Sequence, residues 1–410
     1  MLDIEKIRKD FPMLDNKMMN GHPLVYLDSS ATTFKPYSVM EGVEYFYRDL
    51  TANTHRGDYD IAFKVDTEID KARENIAEFI NCNPKEVVFT SGCTASLNTV
   101  AMSYGKKILK KDDVILLTYA EHASNVLPWF SIAEETGARI EYIPLTEEGR
   151  LTVENVEKSI HDRVRIISVA HVGNVLGYVA PVKEICHLAH QHGITAIIDG
   201  AQSVPHQKID VRDMDCDFLA FSAHKMCGPS GIGVLYGKKE LLDSMEPVFY
   251  GGGSNARFKA NGEVILKETP EKFESGTPNI EGIMGFSRAV TYLRHLGMEN
   301  ISEHERELSS YLVRQLEKMD NITLYNPTTD TGIVTFNVKN IFPQDASGYL
   351  NHNGIAVRSG NHCAKLLVNQ IGTDATIRCS MYIYNTREDV DRLVETLKTC
   401  TIENCLATFF

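Results

Sequence analysis

Two short stretches carry side chains of the types and spacing that chemistry needs. In DFLAFSAHKMCGPSG, Lys225 follows an apolar, strand-like run, and slightly earlier ITAIIDGAQ closes a second such run at Asp199. If both runs are strands of one sheet, Asp199, Gln202, Ser222, His224 and Lys225 meet at one sheet edge. A buried lysine near an aspartate can be an ordinary ion pair. The surrounding residues match a larger demand, that of pyridoxal 5'-phosphate: an amine to form an imine, a carboxylate for the pyridinium nitrogen and small polar groups for the phosphate.

The phosphate needs donors. FTSGCTASLN sets Ser91, Gly92, Cys93 and Thr94 between a strand and a helix, where free backbone amides attract an anion. The helix dipole supplies only roughly 0.3 to 1 kcal/mol, so Thr94, Ser222 and His224 must add side-chain donors. Asp199 is the candidate partner of the ring nitrogen, Gln202 of the ring hydroxyl oxygen. His122, in TYAEHASN just past the run VILLT, can stack on the ring and exchange protons with it.

A second constellation lies in GIAVRSGNHCAKLL. Cys363 sits beside His362 in a polar, mobile loop, where a neighbouring imidazolium or arginine would increase its thiolate fraction. Cys227 competes as nucleophile, but its place beneath a ring held by Lys225 favours packing, and the other cysteines read as small hydrophobes. Arg378 can clamp a carboxylate bidentately, with Arg358 as the alternative. His187, His190 and His192 fit the polar face and end of a helix, and no carboxylate or cysteine pattern completes a metal site. There is no G-x-G-x-x-G after a strand and no Walker A sequence, which excludes the common dinucleotide and P-loop readings.

These residues need a scaffold. From about residue 84 to 237, the runs EVVFT, VILLT, RIEYIPL, RIISVAHV, ITAIID, DFLAF and GIGVLYG alternate with helix-like segments, which predicts an α/β domain with a mostly parallel sheet. Ligands of such sheets bind at the carboxyl ends of the strands. PVKEICHLAHQHG reads as a helix with Pro181 in its first turn and Gly193 at its end. Past residue 281 a long helical region leads to ITLY, GIVTFNV, IAVRS and IRCSMYIY, then a helix capped by Thr386 and Asp389, together a smaller α+β domain. The expected division is a 1–20 N-terminal segment packed on the small domain, a large cofactor-binding domain over 21–285 and a small C-terminal domain over 286–410. The Gly- and polar-rich stretch from Gly251 to Lys272 is the best loop candidate.

At 410 residues the chain exceeds what one core usually serves, and 43% hydrophobic with 24% charged residues is an ordinary globular balance. A net charge of -13 argues against nucleic acid as a partner. Nine cysteines without a C-x-x-C pair argue against a disulfide framework. No apolar run approaches a membrane span and no leader-like segment opens the sequence, so the expected setting is cytoplasmic, without a membrane.

The motifs DFPML, YLDSSATTFKP, NTHRG, HVGNVLG, DGAQS, FSAHKMCGPSGIGVLYG, FESGTPN, GIAVRSGNHCA and YNTREDVDRLV cover nearly the whole chain. Through them it resembles the class V aminotransferase-like group of fold-type I pyridoxal phosphate enzymes, and within it the SufS-type (group II) cysteine desulfurases. The resemblance implies that Lys225 tethers the cofactor, Asp199 binds its ring nitrogen, Gln202 its ring oxygen, and His122 its ring face. It implies that Thr94, Ser222 and His224 hold the phosphate and that Gly276 and Thr277 complete that site from the other subunit of a homodimer. His55, Asn174, Arg358 and Arg378 would receive L-cysteine, and Cys363 would take its sulfur for a sulfur-acceptor protein of iron-sulfur cluster assembly. Asn361, Ala123, Tyr59 and Cys379 depart from residues common in relatives, and none of them is a proposed catalytic group. The rival readings are a selenocysteine lyase using the same lysine, an aminotransferase or epimerase with no role for Cys363, and a cofactor-bound scaffold without turnover.

Overall fold

The computed structural model describes every residue except Met1, His55, Arg56, Phe409 and Phe410. All seven apolar runs join one sheet: β1 (Val87–Thr90), β2 (Val114–Thr118), β3 (Arg139–Ile143), β4 (Val164–Ala170), β5 (Thr195–Asp199), β6 (Phe218–Ser222) and β7 (Gly233–Gly237), in the spatial order β1-β7-β6-β5-β4-β2-β3. Only β7 runs against its neighbours. The residues of β2, β5, β6 and β7 are buried throughout, as expected of strands covered on both faces, and this is why their sequences read as continuous Val, Ile, Leu and Phe runs. The helix over Val182–Gln191 begins directly after Pro181, and Gly193 follows it at φ +67°, a left-handed position that suits glycine.

The second sheet is antiparallel: β8 (Ile322–Leu324), β9 (Ile333–Val338), β10 (Arg358–Gly360) and β11 (Thr376–Ser380), in the order β8-β9-β11-β10. Its core gathers Val334, Phe336, Ile377 and Leu350 with Leu308 and Leu312 of one helix and Val390, Leu393 and Leu397 of another. Val25 and Leu27 enter the same core, because Val25–Tyr26 pairs in parallel with Ile355–Ala356. That second helix, Arg387–Lys398, starts with a full capping box between Thr386 and Asp389, and one more short helix, Ile402–Ala407, follows it. Near the chain start Phe11 packs edge-on against Tyr292 and Tyr384, and Arg8 donates to the Tyr384 carbonyl at 2.7 Å.

Three expectations change in detail. The long helical region is two helices, Ile280–Leu296 and Met298–Leu316, divided at Gly297, whose φ of +84° no continuing helix allows. IAVRS divides into Ile355–Ala356 and β10, which pair with different partners, and IRCSMYIY leaves the sheet after Ser380. The Gly251–Lys272 stretch holds a hairpin, Asn255–Phe258 with Val264–Leu266, turning at Gly262 (φ +89°). Its alternation was masked by polar residues and a register shift after Asn255.

Candidate active site

Parallel strands bring their carboxyl ends to one edge, and the site forms there. β5 ends at Asp199, and β6 ends at Ser222 and passes into a tight turn over Ala223–Lys225. β1 leads through Gly92 to the helix Cys93–Thr99. Gly92 has φ +148°, and a Cβ there would stand 3.2 Å from the Ser222 hydroxyl. A cavity of about 220 Å³ opens between these ends and the second sheet. It is lined by Thr94, His122, Asp199, Gln202, Ser222, His224 and Lys225 on one side and by Asn174, Arg358, Cys363 and Arg378 on the other.

The lysine makes no ion pair with the aspartate and no hydrogen bond among the described residues. Burial holds its amine below the ordinary lysine range, with Arg378 and Arg358 adding and Asp199 and Cys93 opposing. A lysine so depressed is primed for imine chemistry. Asp199 is buried, and its Oδ1 accepts from the Ala201 N–H at 2.9 Å and the Cys93 thiol at 3.3 Å. Gln202 donates to the Ser30 carbonyl at 2.8 Å. Burial, and then the charges of Lys225 and Lys35, pushes His224 down to about 4. Burial also lowers His122, with the Lys225 charge adding, and its Nδ1 accepts from the Ser124 N–H at 3.1 Å.

On the opposite wall Arg378 is buried, donating to the Asn174 carbonyl at 2.9 Å and to Asp28 Oδ1 at 3.0 Å. Arg358 stands directly across the strand pair from it and is exposed, so both arginine candidates reach the same cleft with different solvation. The Cys363 loop is tethered at three points. Ala123 N–H donates to the Cys363 carbonyl at 2.7 Å, Asn174 Nδ2 to the His362 carbonyl at 2.7 Å, and His362 Nε2 meets Thr376 Oγ1 at 2.9 Å. His362 and Cys363 are both left-handed, at φ 50° and 56°, a conformation rare for such residues and held here by the tethers. Cys363 is exposed at the cleft, whereas Cys227 is wholly buried and burial pushes its thiol up to about 12, which leaves it to packing. Of the two cations the sequence offers beside Cys363, the imidazolium is disfavoured: burial, with Arg378 and Arg358 adding, drives His362 down to about 3.

Several residues of this site were not singled out from the sequence. Asp28 holds Arg378, and burial pushes its carboxyl up against that pull. Ser124 Oγ lies 2.7 Å from Thr94 Oγ1. Glu121 lies beneath His122, raised by burial to about 8 although Thr118, Asn125 and the Ala170 N–H all donate to it. Cys93 is a polar contact of Asp199 rather than a small hydrophobe. All four stand inside the motifs, Cys93 within the phosphate loop, but no pattern there marked these contacts. Gly276 and Thr277 lie apart, lining an exposed hollow of about 230 Å³ with Asn53, Thr54 and Gly252. His55 falls outside the described residues. His190, of the histidine-rich helix, sits between Asp215 and Asp217 at 3.0 and 2.9 Å.

Five buried polar atoms of residues lining the cleft lack partners among the described residues: Ser30 Oγ, Asn174 Oδ1, Gln202 Oε1, His362 Nδ1 and Arg378 Nε. Orphaned buried groups are costly, about 1 to 3 kcal/mol each, so this cluster fits a polar guest of the kind the lysine and aspartate call for. A doubly covered, mostly parallel sheet with a lysine and an aspartate at adjacent strand ends defines the class of fold-type I transferases. The chain belongs to the aminotransferase class-V family, whose model matches residues 25–393. A protein of Halalkalibacterium halodurans named "Probable cysteine desulfurase" is 45% identical over 398 residues, covering 97% of this chain and 98% of that one. One of the same name from Staphylococcus epidermidis is 42% identical, over 97% and 96% of the two chains. Among solved structures, a cysteine desulfurase of Escherichia coli in an S-sulfonic acid form has a TM-score of 0.90 at 34% identity, over 97% of this chain and 98% of that one. The apo cysteine desulfurase of Thermococcus onnurineus has a TM-score of 0.92, also at 34% identity, over the same shares of the two chains.

Proposed function

We propose that this protein is a pyridoxal phosphate-dependent cysteine desulfurase that converts L-cysteine to L-alanine and keeps the sulfur as a persulfide on Cys363. The observation that carries the reading is the shared cleft: the exposed Cys363 thiol, on a loop fixed to the His122 turn by the Ala123 N–H, lines the same cavity as Lys225 and Asp199. Family membership and the names of the relatives point the same way. When bound, the cofactor supplies the electron sink that loosens the bonds at the amino acid's Cα.

The residues divide the remaining work. Lys225 would hold the cofactor and move the Cα proton, for which its lowered pKa suits it. Asp199 would hold the ring nitrogen, Gln202 Oε1 the ring oxygen, and Thr94, Ser222 and His224 the phosphate. Arg378 and Arg358 receive the substrate carboxylate, which places the substrate sulfur toward Cys363. The Cys363 thiolate attacks that sulfur: an S–S bond forms, the substrate C–S bond breaks, and its electron pair stays on the three-carbon fragment, which takes up a proton and leaves as alanine. His122 is positioned to supply or store a proton at its free ring nitrogen. We further assign a homodimer in which Gly276 and Thr277 approach the partner's phosphate site, a cytoplasmic setting, and a sulfur-acceptor protein of iron-sulfur cluster assembly as the persulfide's destination.

Mass spectrometry after brief incubation with L-cysteine tests this directly. The expected product is one extra sulfur on the peptide holding Cys363, with an equal yield of alanine. Alanine without sulfur on the protein, or sulfur on another cysteine, overturns the assignment.

A further inference from the structure

Cys93 lies where the two ends of the site meet. Its backbone N–H donates to Ser222 Oγ at 2.8 Å, and its thiol reaches Asp199 Oδ1 at 3.3 Å. The thiol also approaches the Ala220 carbonyl at 3.4 Å, but that oxygen already accepts the Gly200 N–H at 2.8 Å. A carboxylate is the stronger acceptor of the two, so the proton points to Asp199. Burial and the Asp199 charge push the thiol well above its ordinary range, so it stays S–H and acts as a donor toward the carboxylate. The side chain is buried in the wall of the cleft.

We propose that Cys93 is a positioning residue for the desulfurase reaction, its thiol fixing the orientation of the Asp199 carboxylate that would face the cofactor's ring nitrogen. The inference rests on the cofactor reading above. Asp199 Oδ1 takes donors from both Ala201 and Cys93, whereas its second oxygen has no partner among the described residues. One oxygen is therefore anchored and the other left for the ring nitrogen. The same residue ties this anchor to Ser222, so the spacing between the protein groups that would hold the cofactor's ring nitrogen and its phosphate is set through a single side chain and its own amide.

The test uses wild-type, Cys93→Ala and Cys93→Ser proteins loaded with nitrogen-15-labelled pyridoxal phosphate. The ring-nitrogen resonance should move in Cys93→Ala and return toward the wild-type position in Cys93→Ser, whose hydroxyl restores a donor. In parallel, kcat for L-cysteine should fall about tenfold in Cys93→Ala, equivalent to about 1.4 kcal/mol, with KM within about twofold, and recover in Cys93→Ser. The pair Cys93→Thr and Cys93→Val, matched in shape and differing in the hydroxyl, gives the same comparison should the alanine variant not retain cofactor. An unmoved resonance with unchanged kcat, or a serine variant no closer to wild type than the alanine variant, overturns the inference alone. A wild-type protein that binds no labelled cofactor overturns the function proposal with it.

Discussion

At the scale of single residues, chemistry depends on two buried cations that the fold treats differently. Among the described residues Lys225 has neither ion pair nor hydrogen bond, so its removal should cost function far more than fold. In Lys225→Ala, borohydride treatment should leave no cofactor attached to the protein; label that persists would move the tether elsewhere. Arg378 differs from Arg358 in being buried and held from two sides, by Asp28 and by the Asn174 carbonyl. A lysine there would lose the planar fork and leave Asp28 poorly matched. Arg378→Lys should therefore raise KM for L-cysteine by about tenfold or more, with the smaller effect on kcat, measured by alanine release. An unchanged KM would pass the carboxylate role to Arg358.

Elements determine whether those residues meet. The helix Arg387–Lys398 shows how local signals succeed: Thr386 accepts from the Asp389 N–H at 3.2 Å, and Asp389 Oδ2 accepts from the Thr386 N–H at 3.1 Å. Thr386→Ala should lower the denaturant midpoint by an amount worth about 1 kcal/mol, with cofactor content unchanged. The Cys363 loop shows the opposite. Its two left-handed residues and three tethers come from Ala123, Asn174 and Thr376, far away in sequence, and nothing local in RSGNHCAK announces them. For the same reason His362 reads as an activating cation in the sequence and is a buried neutral ring in the fold.

The whole molecule adds a pH response and a surface. His171 and His362 are buried, and desolvation lowers them to about 4 and about 3 from 6.5. Because the unfolded chain takes up their protons first, stability is full above about pH 6.5 and falls as the pH drops toward these folded-state values. Glu121, raised to about 8, leans the other way, so the comparison between variants carries the test. The unfolding midpoint of His171→Asn should fall less than that of wild type between about pH 6.5 and 4; parallel profiles would show that His171 is not buried neutral. On the surface, Phe249 is 72% exposed next to Tyr250 in sequence, and Phe258, also 72% exposed, pairs across the hairpin with exposed Val264. Exposed apolar side chains of this kind suit an interface with a second copy. Sedimentation should give a dimer, and Phe258→Asp should weaken both the dimer and cofactor retention, since Gly276 and Thr277 would then lack the partner they serve. A monomeric wild-type protein with full cofactor content would refute this.

The sequence by itself determined the central strands of the large sheet, because strands buried on both faces must be continuously apolar, and it determined the lysine and aspartate, because strand ends in such a sheet share one edge. It also marked the capped helix Arg387–Lys398, whose start signal is local. Only the tertiary structure decided which charges survive around Cys363, that Asp28 holds Arg378, that Cys93 leans on Asp199, and that Gly276 and Thr277 lie outside the cleft within one chain. Those outcomes depend on desolvation and on contacts between residues far apart in the chain, and neither leaves a periodic trace in the order of amino acids.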